Sequence, residues 1–160
     1  MSAADRVLSR DALLARLPPE RAAGRRVVFT NGCFDLLHAG HADLLERAAA
    51  LGEILVVGLN TDGSVRRLKG PGRPVIPERD RALLLASLRA VDYVVLFDEE
   101  TPLRLITDLL PDVLVKGEDY PLAEIVGREV VEGHGGQVVR LPLVPGCSTS
   151  RLIARLRAAE

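Results

Sequence analysis

The sequence predicts a doubly wound α/β fold, with a mainly parallel, five-stranded sheet in a single domain. Short apolar runs rich in β-branched residues alternate with segments whose apolar residues recur at helical spacing. Such alternation is typical of parallel strands joined by crossover helices. No repeat, low-complexity segment or linker interrupts the pattern over 160 residues, a length that fits one domain with a real core.

The first 25 residues are predicted to form a helical segment ahead of the main domain, which we place at residues 26–160. Ser9 is a suitable N-cap for a helix that runs to Leu17. Pro18-Pro19 is expected to end that helix, because proline lacks the backbone donor. Two interpretations stay open for this segment: it packs outside the sheet, or it contacts another subunit in a homo-oligomer.

A strand, a loop and a helix entrance follow. Arg26–Phe29 has the composition of a buried strand. Thr30–His41 is the loop, and apolar residues at helical spacing continue from it to a stop at Gly52. Ligands of open α/β sheets bind beyond the carboxyl ends of strands, where the free N–H groups of helix N-termini favour phosphate. The loop is therefore the first candidate for a binding site.

This loop carries two histidines, His38 and His41, together with Gly32 and Gly40. Imidazoles donate hydrogen bonds to phosphate oxygens, and glycine lets a ligand approach the backbone closely. By residue type alone, a surface histidine pair without function remains an alternative. A zinc site that includes Cys33 is a second one, although no fourth ligand lies nearby. A Walker A loop is excluded and a nicotinamide cofactor is not expected, since neither glycine motif occurs here.

The alternation continues to the end of the chain. Further strands are predicted at Glu53–Leu59, Tyr93–Phe97, Val113–Val115 and Val138–Leu141. Further helices are predicted at Gly63–Leu68, from Pro77-Glu78 to Val91, after Thr101-Pro102, around Ile125–Val131, and after Ser148-Thr149-Ser150. The inner faces of two of these helices are expected to carry Leu84, Leu85, Leu88 and Val91, and Leu152, Ile153 and Leu156, respectively.

Composition narrows the class of protein. Apolar residues make up 48% of the chain and charged residues 27%, with a net charge of −1, which argues against a nucleic-acid partner. Cys33 and Cys147 do not indicate a disulfide framework. Charged residues near the N-terminus exclude a signal peptide, and no long apolar run predicts a membrane span. We expect a cytoplasmic protein without a membrane partner.

Several separated motifs resemble the nucleotidylyltransferase superfamily with an H-x-G-H motif, in its cytidylyltransferase-like branch. Gly32-Cys33-Phe34-Asp35 is followed by His38-Ala39-Gly40-His41. Phe29–Asp35, Arg67–Val75 and Gly146–Ser150 resemble more closely the heptose 1-phosphate adenylyltransferases of ADP-heptose synthesis. The resemblance covers nearly the whole chain from about residue 25, and implies a Rossmann-like strand order of 3-2-1-4-5.

The resemblance implies transfer of AMP from ATP to D-glycero-D-manno-heptose 1-phosphate, which yields ADP-heptose and pyrophosphate for lipopolysaccharide biosynthesis. The acceptor phosphate has a second pKa near 6, so at pH 7 it needs no activating Ser-His-Asp relay. The site must supply in-line positioning and charge stabilisation. Mg²⁺ would be carried mainly by the ATP phosphates, so no residue is expected to hold a metal.

The resemblance also implies roles for individual residues. The implied catalytic residues are His38, His41, Lys69 and Arg81. The implied nucleotide-binding residues are Thr30, Asn31, Gly32, Cys33, Phe34, His38, Gly40, His41, Lys69, Lys116, Gly117, Asp119, Ser148, Thr149 and Ser150. The implied sugar-phosphate-binding residues are Asp35, Asn60, Asp62 and Arg81.

Some positions have a structural alternative. Arg81 is either a core neighbour that extends its charge to solvent or a ligand group in the cleft. Arg73 is either part of a solvated loop or a site residue, and Ser148-Thr149-Ser150 is either a helix cap, a phosphate site or both. Relatives commonly carry glycine where this chain has Glu118, which leaves base and sugar selectivity open. The alternative functions are a cytidylyltransferase for another small phosphate, such as glycerol 3-phosphate, and a non-enzymatic nucleotide-binding protein.

Overall fold

The computed structural model describes residues 1–159, which fold around one six-stranded parallel sheet. The strands are β1 (Val7–Leu8), β2 (Val27–Gly32), β3 (Ile54–Asn60), β4 (Tyr93–Phe97), β5 (Val113–Gly117) and β6 (Gln137–Leu141). The helices are α1 (Arg10–Ala22), α2 (Ala39–Ala49), α3 (Asp62–Lys69), α4 (Glu78–Ser87), α5 (Leu103–Leu109), α6 (Arg128–Gly133) and α7 (Thr149–Ala158). Short 3₁₀ turns lie at Ala4–Arg6 and Leu122–Glu124.

The strand order β1-β4-β3-β2-β5-β6 confirms the predicted fold. Without β1, the five predicted strands lie in the predicted order 3-2-1-4-5. The sixth strand was missed because its two residues are too few to show a strand pattern. Val7 pairs with Val94 and Leu8 with Val95, so β1 extends the sheet beyond β4.

Helices cover both faces of the sheet, and strand residues point alternately to each. The first face, the α1 face, is packed by α1, α5 and α6 and buries Phe29 of β2 and Leu114 of β5. The opposite face, the α2 face, is packed by α2 and α4 and buries Val28 and Val115 from the same strands. Each strand therefore presents consecutive side chains to different faces, including at its carboxyl end.

The N-terminal helix begins as predicted but ends later. Ser9 Oγ accepts a hydrogen bond from the backbone N–H of Ala12, which confirms the cap. The helix runs through Pro18-Pro19 to Ala22, so the predicted end at the prolines is wrong. Leu13 and Leu17 are almost fully buried on the α1 face. Burial of such side chains contributes about 1.5–3 kcal/mol each, enough to offset the backbone hydrogen bonds that proline cannot make. The segment thus shares the core of the main domain.

Two predicted inner faces are confirmed only in part: Leu85 and Val91 are buried as predicted, and Leu152 and Ile153 are half-buried. Helix α4 buries Arg81, Ala82, Leu85 and Ala86, whereas Leu84 is 48% exposed. Helix α7 buries no residue, and Leu156 is 64% exposed. In α4 the buried residues are spaced four apart, at 81 and 85 and at 82 and 86, which leaves Leu84 at the edge of the inner face. Within residues 1–159, none of the helices combines the length and apolarity that a bilayer crossing requires.

Candidate functional site

A large cleft opens at the carboxyl edge of the sheet, where β2, β3 and β5 end and α2 begins. This is the edge at which open α/β sheets bind ligands. The volume of the cleft is about 570 Å³. That value falls within the range of about 300–1,000 Å³ that is typical of small-molecule sites.

Most of the predicted site residues line this cleft. They are Asn31, Gly32, Cys33, Phe34, Asp35, His38, Gly40, His41, Asn60, Lys69, Lys116, Asp119, Ser148, Thr149 and Ser150. Thr30 and Gly117 line a smaller recess of about 150 Å³ that shares part of the wall. Asp62 and Arg81 line neither cavity and form an ion pair with each other at 2.7 Å.

His38 and His41 form a stacked pair at the N-terminus of α2. Their ring centroids lie 3.8 Å apart, and the planes are inclined by 20°. His38 is the N-cap residue of the helix, and its backbone N–H donates to Nδ1 of His41 at 3.4 Å. Phe34 packs at a tilt against His41, with 5.3 Å between the two ring centroids. The histidine pair is therefore held by its neighbours, unlike a mobile surface pair.

The environment keeps His41 neutral. Burial lowers the pKa of His41 to about 4, and the neighbouring His38 adds to the effect. Burial also lowers the pKa of His38. Because Nδ1 of His41 accepts a backbone hydrogen bond, the proton of the neutral ring lies on Nε2. His41 is thus a neutral hydrogen-bond donor at pH 7.

The loop that leads into α2 has an unusual backbone. Phe34 and Leu36 adopt positive φ angles of 45° and 50°, a conformation that side-chain-bearing residues rarely take. Asp35 lies between them, almost fully buried, and its carboxylate accepts hydrogen bonds from Arg73 Nε and from the backbone N–H groups of Val75 and Ile76. Such strained conformations persist where surrounding contacts over-determine them, and they cluster at functional sites.

Asp35 therefore holds the loop. Burial alone would raise the pKa of Asp35, but the hydrogen bonds from Val75, Ile76 and Arg73 outweigh burial and lower it. The carboxylate is charged and already has three donors, so it does not fit the predicted contact with a sugar phosphate. Arg73 forms an ion pair with Asp35 at 2.8 Å and lines the cleft, and its side chain is only 16% exposed, so it is not a solvated loop residue.

Arg81 joins the ends of neighbouring strands. Its guanidinium donates to the backbone oxygens of Cys33, Asn60 and Ile76 and to the carboxylate of Asp62. The side chain is only 1% exposed. Arg81 and Asp62 pair with each other outside the cleft, which does not fit the predicted direct contact of these two residues with the sugar phosphate. Asn60 lines the cleft and donates its Nδ2 to Ser64 Oγ, and its contact with the sugar phosphate stays a prediction. Arg81 positions the loop after β2 against the end of β3.

The entrance of α7 packs directly onto the entrance of α2. A Cβ at Gly40 would lie 2.8 Å from Cys147 Cβ and 3.0 Å from the His38 ring, so protein atoms occupy the space that the glycine leaves. Ser148 Oγ caps α7 by accepting from the N–H of Arg151, and Thr149 Oγ1 donates to the backbone oxygen of Asp35. The capping interpretation of this segment is confirmed, and two helix N-termini converge on the cleft.

Both predicted lysines line the cleft, in different environments. Lys69 is the last residue of α3 and is exposed. Lys116 near the end of β5 is 9% exposed, and burial lowers its pKa to about 8. Glu118, the departure noted above, is exposed and does not line the cleft. Among residues 1–159, no group of three or more His, Cys, Asp or Glu side chains is arranged to hold a metal ion.

Other parts of the cleft wall were missed. Glu100, Thr101 and Pro102 follow β4, and Glu124 and Ile125 follow β5. The signal that could have found them is their position after the carboxyl ends of parallel strands, which all face one edge of the sheet.

Comparisons with known proteins agree with this geometry. The model of the cytidylyltransferase-like family matches residues 29–155. Bifunctional protein HldE of Citrifermentans bemidjiense is 58% identical over 146 residues, which cover 91% of this chain and 30% of that protein. Bifunctional protein HldE of Azorhizobium caulinodans is 58% identical over 151 residues, which cover 94% and 32%. The chain spans about a third of the length of these relatives.

Solved structures show the same architecture. A lipopolysaccharide core biosynthesis protein of Thermoplasma volcanium matches with a TM-score of 0.62 and 29% identity, over 76% of this chain and 98% of that one. Pantothenate synthetase of Thermus thermophilus matches with a TM-score of 0.56 and 28% identity, over 87% and 62%. The family model begins at residue 29, within β2, and covers the histidine pair and the entrance of α7, so the motif resemblance is confirmed. This chain belongs to the cytidylyltransferase-like family.

Proposed function

We propose that this chain is an adenylyltransferase that moves AMP from ATP to D-glycero-D-manno-heptose 1-phosphate and releases pyrophosphate. The observation that carries the proposal is the neutral His41 donor, held with His38 at the N-terminus of α2 inside the cleft. The similarity to HldE proteins and to a lipopolysaccharide core biosynthesis protein supports a sugar phosphate as acceptor.

The chemistry is a direct displacement at phosphorus. An oxygen of the acceptor phosphate forms a bond to the α-phosphorus of ATP, and the bond from that phosphorus to the β-bridging oxygen breaks. The electron pair of the broken bond leaves with pyrophosphate. A phosphate monoester is largely dianionic at pH 7, so no protein base has to remove a proton. Catalysis then depends on positioning and on stabilising the charge of the leaving group.

The donors of the cleft fit that task. Nε2–H of His41 and the free N–H groups of α2 face developing negative charge, and a neutral donor needs no change of protonation in the reaction. Lys69 is exposed on the rim, with a side chain long enough to close on the triphosphate. The N-terminus of α7 adds a second positive helix end. Mg²⁺ enters with ATP as part of the substrate, held by phosphate oxygens and water.

The second candidate is a cytidylyltransferase for another small phosphate, such as glycerol 3-phosphate. The observation that favours this second candidate is the match to the cytidylyltransferase-like family model. Glu118 does not favour it, because its side chain lies outside the cleft. Discrimination between bases requires only about 1.4 kcal/mol for a tenfold preference, which a few backbone hydrogen bonds can supply.

The test is a panel of four nucleoside triphosphates against several phosphorylated acceptors, with pyrophosphate as the readout. The proposal expects ATP with heptose 1-phosphate to be the best pair, with ATP preferred over CTP by at least about tenfold. A clear preference for CTP with a non-heptose acceptor would support the second candidate. Failure of every pair, together with tight nucleotide binding, would leave the non-enzymatic alternative.

A further inference from the structure

The chain contains only two lysines against nineteen arginines, and both lysines line the same cleft. Elsewhere in the protein the basic surface is built from arginine alone. An ammonium differs from a guanidinium in being a compact point charge that fits where a planar fork does not. Lys69 is the exposed one and is assigned above to the triphosphate. The second lysine, Lys116, has no role in the mechanism so far.

Lys116 is a buried cation without a carboxylate in direct contact, and the charge of Asp119 raises its pKa only from a distance. No Asp or Glu oxygen within residues 1–159 lies within ion-pair distance of its Nζ. Its contacts are the backbone oxygen of Asn31 at 3.5 Å and the ring of Tyr120, whose centroid lies 5.2 Å away. Buried charges in folded proteins are normally paired, so an unpaired one at a cleft wall indicates an anionic ligand.

A second polar group beside Lys116 also lacks a partner. Asn31 Oδ1 is inaccessible to solvent and accepts no hydrogen bond from any described residue. Buried side-chain acceptors are usually satisfied, so we expect the Asn31 side chain, which lines the cleft, to rotate and bring Oδ1 to a donor on a ligand. Asn31 and Lys116 are thus neighbours that together offer one cation and one acceptor.

The position of these two side chains relative to the histidines follows from strand alternation. In β5, Val115 belongs to the α2 face, so the next residue, Lys116, points to the α1 face. In β2, Phe29 belongs to the α1 face, and Asn31 points the same way. The helix that carries the histidines packs on the opposite, α2 face. The cleft therefore has its neutral donors on one side of the sheet edge and its buried cation on the other.

In-line displacement at phosphorus requires binding groups on two opposite sides, because the attacking and leaving oxygens lie on opposite sides of the phosphorus atom. We propose that Lys116 binds the phosphate of the acceptor substrate, across the α-phosphorus from the departing pyrophosphate, and that Oδ1 of Asn31 accepts a hydrogen bond from a hydroxyl of its sugar. This inference rests on the proposed function for the direction of the displacement. It moves Lys116 and Asn31 from the nucleotide-binding set to the acceptor set.

Kinetics of matched lysine variants test the proposal. Lys116→Met should raise the KM for the acceptor by at least about tenfold, the loss of one charged hydrogen bond, with little change in the KM for ATP. Lys69→Ala is the control, with its main effect on ATP. An Asn31→Ala variant should also raise the KM for the acceptor, without changing the KM for ATP. If Lys116→Met raises the KM for ATP and leaves the acceptor KM unchanged, the assignment is overturned. If the variant raises both KM values equally, Lys116 has a structural role and the assignment is overturned as well.

Binding to the wild-type protein tests it without turnover. Because there are only two lysines, ¹³C-lysine labelling gives two side-chain signals, which the Lys116→Met variant assigns. Orthophosphate or heptose 1-phosphate, added without nucleotide, should shift the Lys116 signal and leave Lys69 unmoved. No shift of Lys116 at saturation would overturn the inference. If heptose 1-phosphate fails as substrate in the panel but another phosphate succeeds, the same titration with that acceptor still decides the role of Lys116.

Discussion

Replacement of His41 by alanine tests the idea of a neutral donor in two independent ways. The first is kinetic: loss of one preorganised donor to developing charge typically costs about 10²–10³ in kcat. We therefore expect His41→Ala to lower kcat by at least about a hundredfold, while the fold survives. His134→Ala is the matched control, because the third histidine of the chain is exposed and lies outside the cleft.

The second way is thermodynamic and follows from the pKa of His41. Burial lowers that pKa from 6.5 to about 4, so the unfolded chain takes up a proton before the folded protein does. The stability associated with neutral His41 is complete above pH 6.5 and is lost as the pH falls toward 4. At about 1.36 kcal/mol per pKa unit, the loss amounts to about 3 kcal/mol, and His41→Ala should not show it.

The assay is urea unfolding of wild type, His41→Ala and His134→Ala at several pH values between about 7 and 4.5. The free energy of unfolding should fall more steeply with acid in wild type and His134→Ala than in His41→Ala. Parallel curves for all three proteins would show that folding does not lower the pKa of His41, which would refute the argument that burial keeps this donor neutral. Near-normal kcat in His41→Ala with intact ATP binding would make it a surface histidine.

Four further outcomes follow from the structure. Arg81→Met should destabilise the fold by about 3 kcal/mol in urea unfolding, because carbonyls and a carboxylate lose a buried donor; an unchanged midpoint would contradict its role. Lys69→Ala should strongly reduce kcat/KM for ATP without changing stability or acceptor binding in the absence of nucleotide, whereas unchanged kinetics would remove the lysine from the mechanism. Lys116→Met should raise the free energy of unfolding at pH 7 by up to about 3 kcal/mol, because burial lowers the pKa of Lys116 from 10.5 to about 8. The gain should shrink above pH 8, where the folded wild type loses the charge. A loss of stability in the variant would count against a buried unpaired charge. Cys33 and Cys147 should titrate as two free thiols, Cys33 slowly because burial raises its pKa, and zinc chelation should not alter turnover.

Much of the fold could be predicted from the sequence because strands such as Val27–Gly32 and Ile54–Asn60 are continuous apolar runs that end in turn and cap residues. The failures share a cause, which is that local pattern does not reveal partners. Pro18-Pro19 lies inside a helix because Leu13 and Leu17 pack on distant strands. The two residues of β1 form a strand only because they pair with β4 in the folded protein.

The location of the candidate site could be predicted from the sequence, whereas the roles of its individual residues could be predicted only in part. The histidine pair, Lys69 and Lys116 were identified and do line one cleft. For charged residues the sequence gives no means of telling a ligand group from a structural one. Asp35 and Arg81 are engaged by Val75, Cys33 and other groups from separate segments, which only the folded chain brings together.

The short strand β1 has a consequence for the solubility of this protein. Its partner β4 reads Tyr-Val-Val-Leu-Phe, an apolar, uncharged segment with the composition of aggregation-prone strands. A bare edge of such a strand offers unpaired N–H and C=O groups to any other chain. Val7 and Leu8 occupy that edge at Val94 and Val95, with only two residues of their own. Because β1 covers the middle of that edge and is too short to template a further strand, we expect it to reduce self-association of the sheet.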